Sequence, residues 1–511
     1  MQHFTDTICA PATVPGTGAV SIIRLSGPSA HAIADKVVRL RKGTVGTSAG
    51  YSLKMGSVHD GLGTDAPLLD SVLVSVFRAP RSYTGEDSVE ISCHASRYIA
   101  NRILSLLVDA GARMAGPGEF TQRAFVNGKL DLSQAEAVAD LVAANSKAAQ
   151  RVAMTQLKGG YSDELRSLRE QLLNMASLME LELDFSEEEV EFASRSELSG
   201  LIEATLGRIN RLAASFHDGN AIKNGIPVAI VGAVNTGKST LLNALVGEER
   251  AIVSDEAGTT RDTIEETMLL DGVLFRFVDT AGLREDAGKV ERIGIGRSLE
   301  SLSKASIVLA VLDGSLPLQQ LRASFAELAS KVDFERQSLI VVRNKKDVCG
   351  GSWLLAAQSL AADLAGLMDR AKVSDCGSDV ENVRYSNGNF EGVRDAAAAG
   401  CEISSAGTPI VVDISARTCE GLEELKAQIV SARPCSADNG EVMVTNLRHY
   451  EALVRAGDAL LEVKSALTDG VPTDLVAQSL RIAVYELGTI LGEVTTDEIL
   501  GEIFGKFCIG K

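Results

Sequence analysis

Up to about residue 125 the apolar positions come in short runs. Val20-Ser21-Ile22-Ile23-Arg24-Leu25 and Ser71-Val72-Leu73-Val74-Ser75-Val76-Phe77 read as strands between helical stretches, an α+β pattern. Beyond Asp131 the period lengthens. Leu165, Leu168, Leu172, Met175 and Met179 recur at spacings of three and four, the apolar face of an amphipathic core helix. Short runs then return. Val228-Ala229-Ile230-Val231 precedes the helix-like Thr240-Leu241-Leu242-Asn243-Ala244-Leu245. Met268-Leu269-Leu270 and Val273 to Val278 flank Asp271-Gly272, a hairpin turn signal. Ser338 to Val342 and Ile410 to Ile414 are further strand-like runs, after which Tyr450 to Leu467 and Leu475 to Leu491 are helical again. Thr495 with Glu498 predicts a capping box for one more helix.

The candidate chemistry sits where the apolar runs end. Val231 leads into Gly232-Ala233-Val234-Asn235-Thr236-Gly237-Lys238-Ser239-Thr240, a phosphate-binding loop between strand and helix. Its glycines let backbone N–H groups wrap a polyphosphate, Lys238 neutralises the outer phosphates, and the Ser239 hydroxyl ligates Mg2+ at the helix start. Gly258-Thr259-Thr260-Arg261-Asp262 offers Thr260 as a second Mg2+ ligand on a loop whose order depends on the γ-phosphate. In Asp279-Thr280-Ala281-Gly282, the carboxylate reaches Mg2+ through water and the Gly282 N–H senses the γ-phosphate.

Asn344-Lys345-Lys346-Asp347 and Ser415-Ala416-Arg417 follow two more apolar runs and choose the base. The Asp347 carboxylate accepts both N1–H and the exocyclic amine of guanine, whereas adenine leaves it unpaired, a discrimination of about 10^4-fold. The expected nucleotide is GTP. Leu283 stands where such a switch usually carries a glutamine, and leucine cannot orient water. Asn235 offers its side-chain carbonyl to a monovalent cation that can replace an arginine finger. Glu291 is the nearest downstream carboxylate with a route back to the site; a solvated acid beside Arg292 is the competing reading.

Composition narrows the class. At 511 residues the chain exceeds one core and should form about three domains. Hydrophobic residues at 45% with 4% aromatics indicate a soluble, aliphatic, helix-rich protein, and no apolar run approaches the roughly 20 residues of a membrane span. Met1 to Asp6 lacks the basic-then-apolar order of a secretion signal. Eight cysteines without a Cys-x-x-Cys pair fit a reducing cytoplasm, and Cys349, Cys376 and Cys401 are too widely spaced to define a metal site. A net charge of -18 repels RNA on average, so an RNA substrate requires a local basic surface or a partner that supplies the grip.

Several stretches carry a more specific pattern: Tyr83-Thr84-Gly85-Glu86-Asp87, Pro117 to Phe125, Lys129 to Ala137, Asp279 to Glu285, and the terminal Phe507-Cys508-Ile509-Gly510-Lys511. With them the chain, from Asp6 to its last residue, resembles the MnmE (TrmE) family of tRNA-modification GTPases. The resemblance implies a multi-domain α/β protein. An α+β domain over 1–125 binds a tetrahydrofolate derivative and dimerises. A helical domain is split between 126–222 and 435–511, and a Ras-like P-loop G domain with a mainly parallel sheet fills 223–434. The resemblance also implies hydrolysis stimulated by K+, held by the residue matching Asn235 and the loop matching Ser254-Asp255-Glu256-Ala257-Gly258-Thr259, with Ser254, Glu256 and Thr259 as its ligands. Glu291 then positions the attacking water through a bridging water.

Folate-binding positions match Arg24, Glu90, Lys129 and Lys511: cations pair with a glutamate tail and a carboxylate takes the donor edge of a pterin. The implied cofactor is 5,10-methylenetetrahydrofolate or a related derivative. The implied assembly is a cytoplasmic homodimer, joined in a heterotetramer by the FAD-dependent partner MnmG (GidA). The implied reaction places a carboxymethylaminomethyl or aminomethyl group on C5 of the wobble uridine of certain tRNAs. Cys508 is a candidate reactive thiol near the one-carbon site, set against a buried structural cysteine.

The chain departs from the family pattern in three places. Ala233-Val234 replaces the usual Arg-Pro of the phosphate loop, and Cys93-His94-Ala95-Ser96 replaces a glycine-rich segment. Between Asp347 and Ser415 lie 67 residues, in which Trp353 to Lys372 has helical periodicity and Ser374 to Thr408 has the composition of a surface insertion, about 350–408 in all. A ribosome-assembly or signalling GTPase switch explains 225–433 equally well, but leaves Arg24, Glu90, Lys129 and the Cys508 tail unexplained. A folate enzyme with a regulatory G domain and a non-RNA substrate is a further alternative.

Overall fold

The computed structural model describes residues 4–63, 65–184, 195–248, 266–277, 302, 305–334, 337–348, 410–432, 442–469 and 471–510. The chain divides into two units, one of Met1–Ala144, Arg151–Phe216 and Gly440–Lys511, the other of Asn145–Gln150 and His217–Asn439.

The first unit begins with a seven-stranded sheet of β1 (Ile8–Pro11), β2 (Val20–Ser26), β3 (Val38–Leu40), β4 (Ser52–His59), β5 (Leu68–Phe77), β6 (Ser88–His94) and β7 (Arg113–Met114). Its order is β3-β4-β5-β6-β2-β1-β7, antiparallel except where β1 meets β7. The period of two is visible in β5, where Val72, Val74 and Val76 are buried and Ser71 and Leu73 are exposed. The buried face packs with the helices Ala30–Val37 and Arg97–Asp109 around Ile33, Val74, Ile91, Ile103 and Leu107. The α+β expectation holds.

Helices follow from Glu119. Leu132–Ala143 starts at Asp131, whose side chain accepts from Gln134 N while the Gln134 side chain returns to the Asp131 N–H. Gly160–Asp184, Arg195–Ala214, Leu447–Thr468 and Thr473–Leu491 share one core. Leu165, Leu168, Leu172, Met175 and Met179 are all buried in it, as their spacing predicts, together with Leu453, Leu460, Leu480 and Leu487 from far along the chain. The last described helix, Asp497–Gly505, differs from expectation: its cap is Thr496, which accepts from Ile499 N, and not Thr495. Cap geometry depends on which residue turns extended just before the helix, and two adjacent threonines leave that open in sequence.

The second unit holds a six-stranded sheet: β8 (Ile226–Val231), β9 (Glu266–Leu270), β10 (Val273–Phe277), β11 (Ile307–Asp313), β12 (Ser338–Asn344) and β13 (Ile410–Asp413). The order is β13-β12-β11-β8-β10-β9, parallel apart from the β9–β10 hairpin. That hairpin turns on Asp271 and Gly272, both with positive φ (49° and 73°), the conformation a tight two-residue turn requires. β11 is buried almost throughout, as a parallel strand covered on both faces should be. One face packs on Leu241, Leu245, Leu425 and Ile429, the other on Leu321 and Phe325. The order reverses direction at β8, which makes its carboxyl end the topological switch point.

Candidate functional site

The phosphate loop leaves β8 at that switch point and enters the helix Lys238–Glu248. Two glycines are there because nothing larger fits: a Cβ on Gly232 would lie 2.3 Å from Val311 O, and one on Gly237 would lie 2.3 Å from Asn344 Nδ2. Asn235 adopts the left-handed region (φ 65°), which asparagine tolerates better than most residues. Thr236 Oγ1 donates to Ala233 O at 3.0 Å, and Lys238 Nζ donates to Gly232 O (2.9 Å) and Ala233 O (2.8 Å). The ammonium is thus tethered inside the loop, and burial pushes its pKa down. Ser239 and Thr240 are exposed in the first helical turn, where backbone N–H groups and the helix dipole favour an anion.

The base-reading loops are joined to the phosphate loop by one side chain. Asn344 Nδ2 donates to Thr236 O at 2.8 Å while Asn344 Oδ1 accepts from Ala416 N at 2.9 Å. Ser415 Oγ donates to Asp347 Oδ1 at 2.8 Å and accepts from Thr418 N at 3.2 Å, so the exposed carboxylate is aimed before any base arrives. Lys345 Nζ pairs with Asp313 Oδ2 at 2.7 Å. Burial alone would raise the Asp313 carboxyl, but the hydrogen bonds from Lys345 and Ser315 outweigh it and hold it below the usual range. Arg417 is exposed beside them.

Sequence reasoning missed the brace under these loops. Arg343, buried at the end of β12, forms a two-pronged pair with Asp413 on β13, Nε to Oδ1 at 2.6 Å and Nη2 to Oδ2 at 2.5 Å. The two are cross-strand neighbours in the register. Arg343 next to Asn344, and Asp413 two residues before Ser415, each a charge at the end of an apolar strand, were the only signal. Lys346 and Glu420 add an outer pair at 2.7 Å.

A second cluster lies in the N-terminal sheet. Arg24 and Glu90 face each other across β2 and β6, with Arg24 Nε donating to Glu90 Oε1 at 2.9 Å. The guanidinium lies over two rings, 5.3 Å from Tyr83 and 5.6 Å from Phe120, a cation–π sandwich. Tyr83 is fixed by a 2.9 Å bond between its hydroxyl and Thr121 Oγ1. Lys129 does not join the pair: its Nζ donates to Pro80 O at 3.1 Å, and its aliphatic stem lies 3.3 Å from the space above Gly85. The loop from Pro80 to Gly85 touches both cations.

The C-terminal tail returns to the same domain. Gly118 N donates to Cys508 O at 3.4 Å, Ile509 bridges Pro117, and a Cβ on Gly510 would lie 2.0 Å from Pro11 O. Pro11 pairs with Ile23, the neighbour of Arg24. The Cys508 thiol is free and exposed, so the buried structural alternative does not hold. Ser254 to Thr260, Asp279 to Gly282, Leu283, Glu291, Lys511 and the insertion about 350–408 lie outside the described residues.

A phosphate loop at the switch point of a mainly parallel sheet, latched to a guanine-type base loop, defines a P-loop GTPase. Residues 7–129 match the model of the GTP-binding protein TrmE N-terminus and residues 132–508 that of the MnmE helical domain. Proteins named tRNA modification GTPase MnmE from Flavobacterium johnsoniae (99% of each chain covered) and Parabacteroides distasonis (99% of this chain, 100% of that one) are each 44% identical to this chain. The Bacteroides fragilis protein of that name is also 44% identical, with 99% of both chains covered. Among solved structures, the FeoB G-domain from Methanococcus jannaschii matches at 21% identity and a TM-score of 0.22, covering 40% of this chain and 96% of that one. The chain belongs to the MnmE family of tRNA modification GTPases.

Proposed function

We propose that this chain hydrolyses GTP and, with an FAD-dependent partner, modifies C5 of the wobble uridine of certain tRNAs using a folate one-carbon unit. The curated relatives carry tRNA modification in their names over essentially the whole of this chain. What favours this reading over a plain GTPase switch is the second site: Arg24 paired with Glu90 and set over the rings of Tyr83 and Phe120, with the Cys508 tail folded back to Gly118. A switch has no use for it.

Within the G domain (223–434), Asn235 to Thr240 hold the phosphates, Asp347 and Ser415 to Arg417 select guanine, and Asn344 keeps the two loops in register. The residues present fit Mg2+ and K+: Ser239 is exposed at a helix start, and Asn235 is exposed in a left-handed turn of the phosphate loop. Bound there, the two cations neutralise charge that develops between the β- and γ-phosphates. Thr260 completes the Mg2+ set, Ser254, Glu256 and Thr259 the K+ set, and Glu291 positions water, in place of the glutamine that Leu283 excludes. Arg24 and Glu90 of the domain over 1–125, with Lys129 and the C-terminal Lys511 from the helical segments, bind the folate. The helical segments 126–222 and 435–511 form one domain, and the working form is a cytoplasmic homodimer. Among the described residues no helix is long and apolar enough to cross a membrane.

Calorimetry with 5-formyltetrahydrofolate tests the second site. Micromolar binding by the parent protein, lost in Arg24→Ala, is the expected result. A folded parent that binds no folate removes the feature separating this reading from a switch.

A further inference from the structure

Two of the stretches that stand out in sequence, Tyr83 to Asp87 and Pro117 to Phe125, are joined by Arg123, to which the function proposed above gives no role. Arg123 lies on the helix Glu119–Val126 and is fully buried. Its guanidinium is enclosed by acids. Nη1 donates to Asp6 O at 2.9 Å and to Glu86 Oε1 at 3.2 Å, while Nη2 donates to Asp6 Oδ1 at 2.8 Å and to Glu119 Oε1 at 2.9 Å. Arg113 closes the cluster from the solvent side, paired with Asp6 Oδ2 and with Glu119 Oε1, both at 2.6 Å. A buried cation costs desolvation that an apolar side chain of the same size avoids; what its charged, forked hydrogen bonds supply is direction.

Observed contacts carry that direction to the Arg24 cluster by two routes. The first is the loop. Ser26 follows Arg24 two residues along β2, on the same face. Its Oγ donates to Glu86 Oε2 at 2.7 Å and so accepts from Thr84 Oγ1 at 2.6 Å. Ser82 Oγ donates to Glu86 O at 2.6 Å and Glu86 N donates to Thr84 Oγ1 at 3.2 Å, which closes residues 82–86 on themselves around Tyr83. The second route is the helix. Phe120 precedes Arg123 by three residues, one helical turn, and Thr121 holds the Tyr83 hydroxyl at 2.9 Å. Tyr83 and Phe120 are the two rings over which the Arg24 guanidinium lies, at 5.3 and 5.6 Å. The bond from Arg123 to Glu86 therefore ties the loop that carries one ring to the helix that carries the other.

We infer that Arg123 is a positioning residue for the folate site, a role that rests on the function proposed above. It touches no ligand. By fixing Glu86 against the helix it sets the spacing of Tyr83 and Phe120, and with it the place of the Arg24 guanidinium beside Glu90. Thr121 is the second tie between the same two elements.

The test is calorimetry of the whole chain with 5-formyltetrahydrofolate. Arg123→Lys keeps the charge and loses the fork. It is expected to raise Kd by about 10-fold, as loss of outer partners does at other preorganised sites, with the number of sites per chain and the rate of GTP hydrolysis unchanged. Breaking a buried ion cluster also lowers the unfolding temperature, so the decision is read from Kd against site number: a merely structural role reduces the sites and leaves the parental Kd in the folded fraction. Thr121→Val removes only the hydroxyl bond to Tyr83 and is expected to raise Kd by about 2- to 10-fold, with Tyr83→Phe and the double variant giving the same value. If Arg123→Lys does not fold, this cycle decides. A parental Kd in Arg123→Lys, or in Thr121→Val where the first variant does not fold, overturns the positioning role and leaves the folate reading standing. A folded parent that binds no folate overturns that reading and the role of Arg123 with it.

Discussion

Asn235 shows how one residue serves backbone and ligand together. Its φ of 65° turns the phosphate loop, and the residue is exposed. An alanine there must adopt the same left-handed conformation at a cost of about 1 kcal/mol, which predicts only a few-fold weaker GTP binding in Asn235→Ala. The preference of hydrolysis for K+ over Na+ should vanish. Hydrolysis rates of parent and variant in the two salts check this, and equal stimulation of the parent by both ions contradicts the assigned role. The loop was legible because glycine spacing encodes it directly. The Arg343–Asp413 brace was not, since 70 residues separate its members and only the register of β12 against β13 brings them together. Asp347 illustrates the middle case: its identity was readable, but its aim depends on Ser415.

At the scale of elements, periodicity carried most of the fold. The stripe from Leu165 to Met179 is core, and the Asp271-Gly272 turn closes the hairpin it predicts. What periodicity does not reveal is the polar junction between helices. Glu136, on Leu132–Ala143, accepts from His449 Nε2 at 2.5 Å and from Arg448 Nη2 at 3.0 Å on Leu447–Thr468. Arg448 Nη1 also donates to Thr489 O on Thr473–Leu491 at 2.7 Å. Tyr161, on Gly160–Asp184, stacks on His449 with ring centroids 5.5 Å apart. Four helices therefore meet at one carboxylate.

Burial alone would raise the Glu136 pKa, but the His449 imidazole and the Arg448 guanidinium outweigh it and lower it from 4.5 to about 2. Because the folded value lies below the unfolded one, the stabilisation is fully present above about pH 4.5 and is lost as the pH falls towards 2. Glu136→Gln is expected to destabilise at pH 7 by on the order of 3 kcal/mol. Its deficit against the parent should shrink as unfolding is followed down to pH 3, and a deficit that does not change with pH contradicts the assignment.

Among the described residues, the phosphate and base loops belong to one unit and the Arg24–Glu90 cluster to the other, each built on its own sheet. The helical core takes Tyr161 to Leu212 and Val444 to Leu491 from either side of the G domain in sequence. Apolar period alone marked both segments as helical but did not say that they pack together; the resemblance did. The net charge of -18 remains a constraint on any tRNA complex, because counterion release favours basic surfaces. A partner that contributes basic surface satisfies it.

The central claim is that GTP hydrolysis by this chain serves modification of tRNA. Its most direct test is the nucleoside composition of tRNA from a strain lacking the gene, complemented with the parent protein or with Lys238→Ala. C5-modified wobble uridines are expected to disappear on deletion, to return with the parent and not to return with the variant. Unchanged wobble uridines in the deletion strain would contradict it.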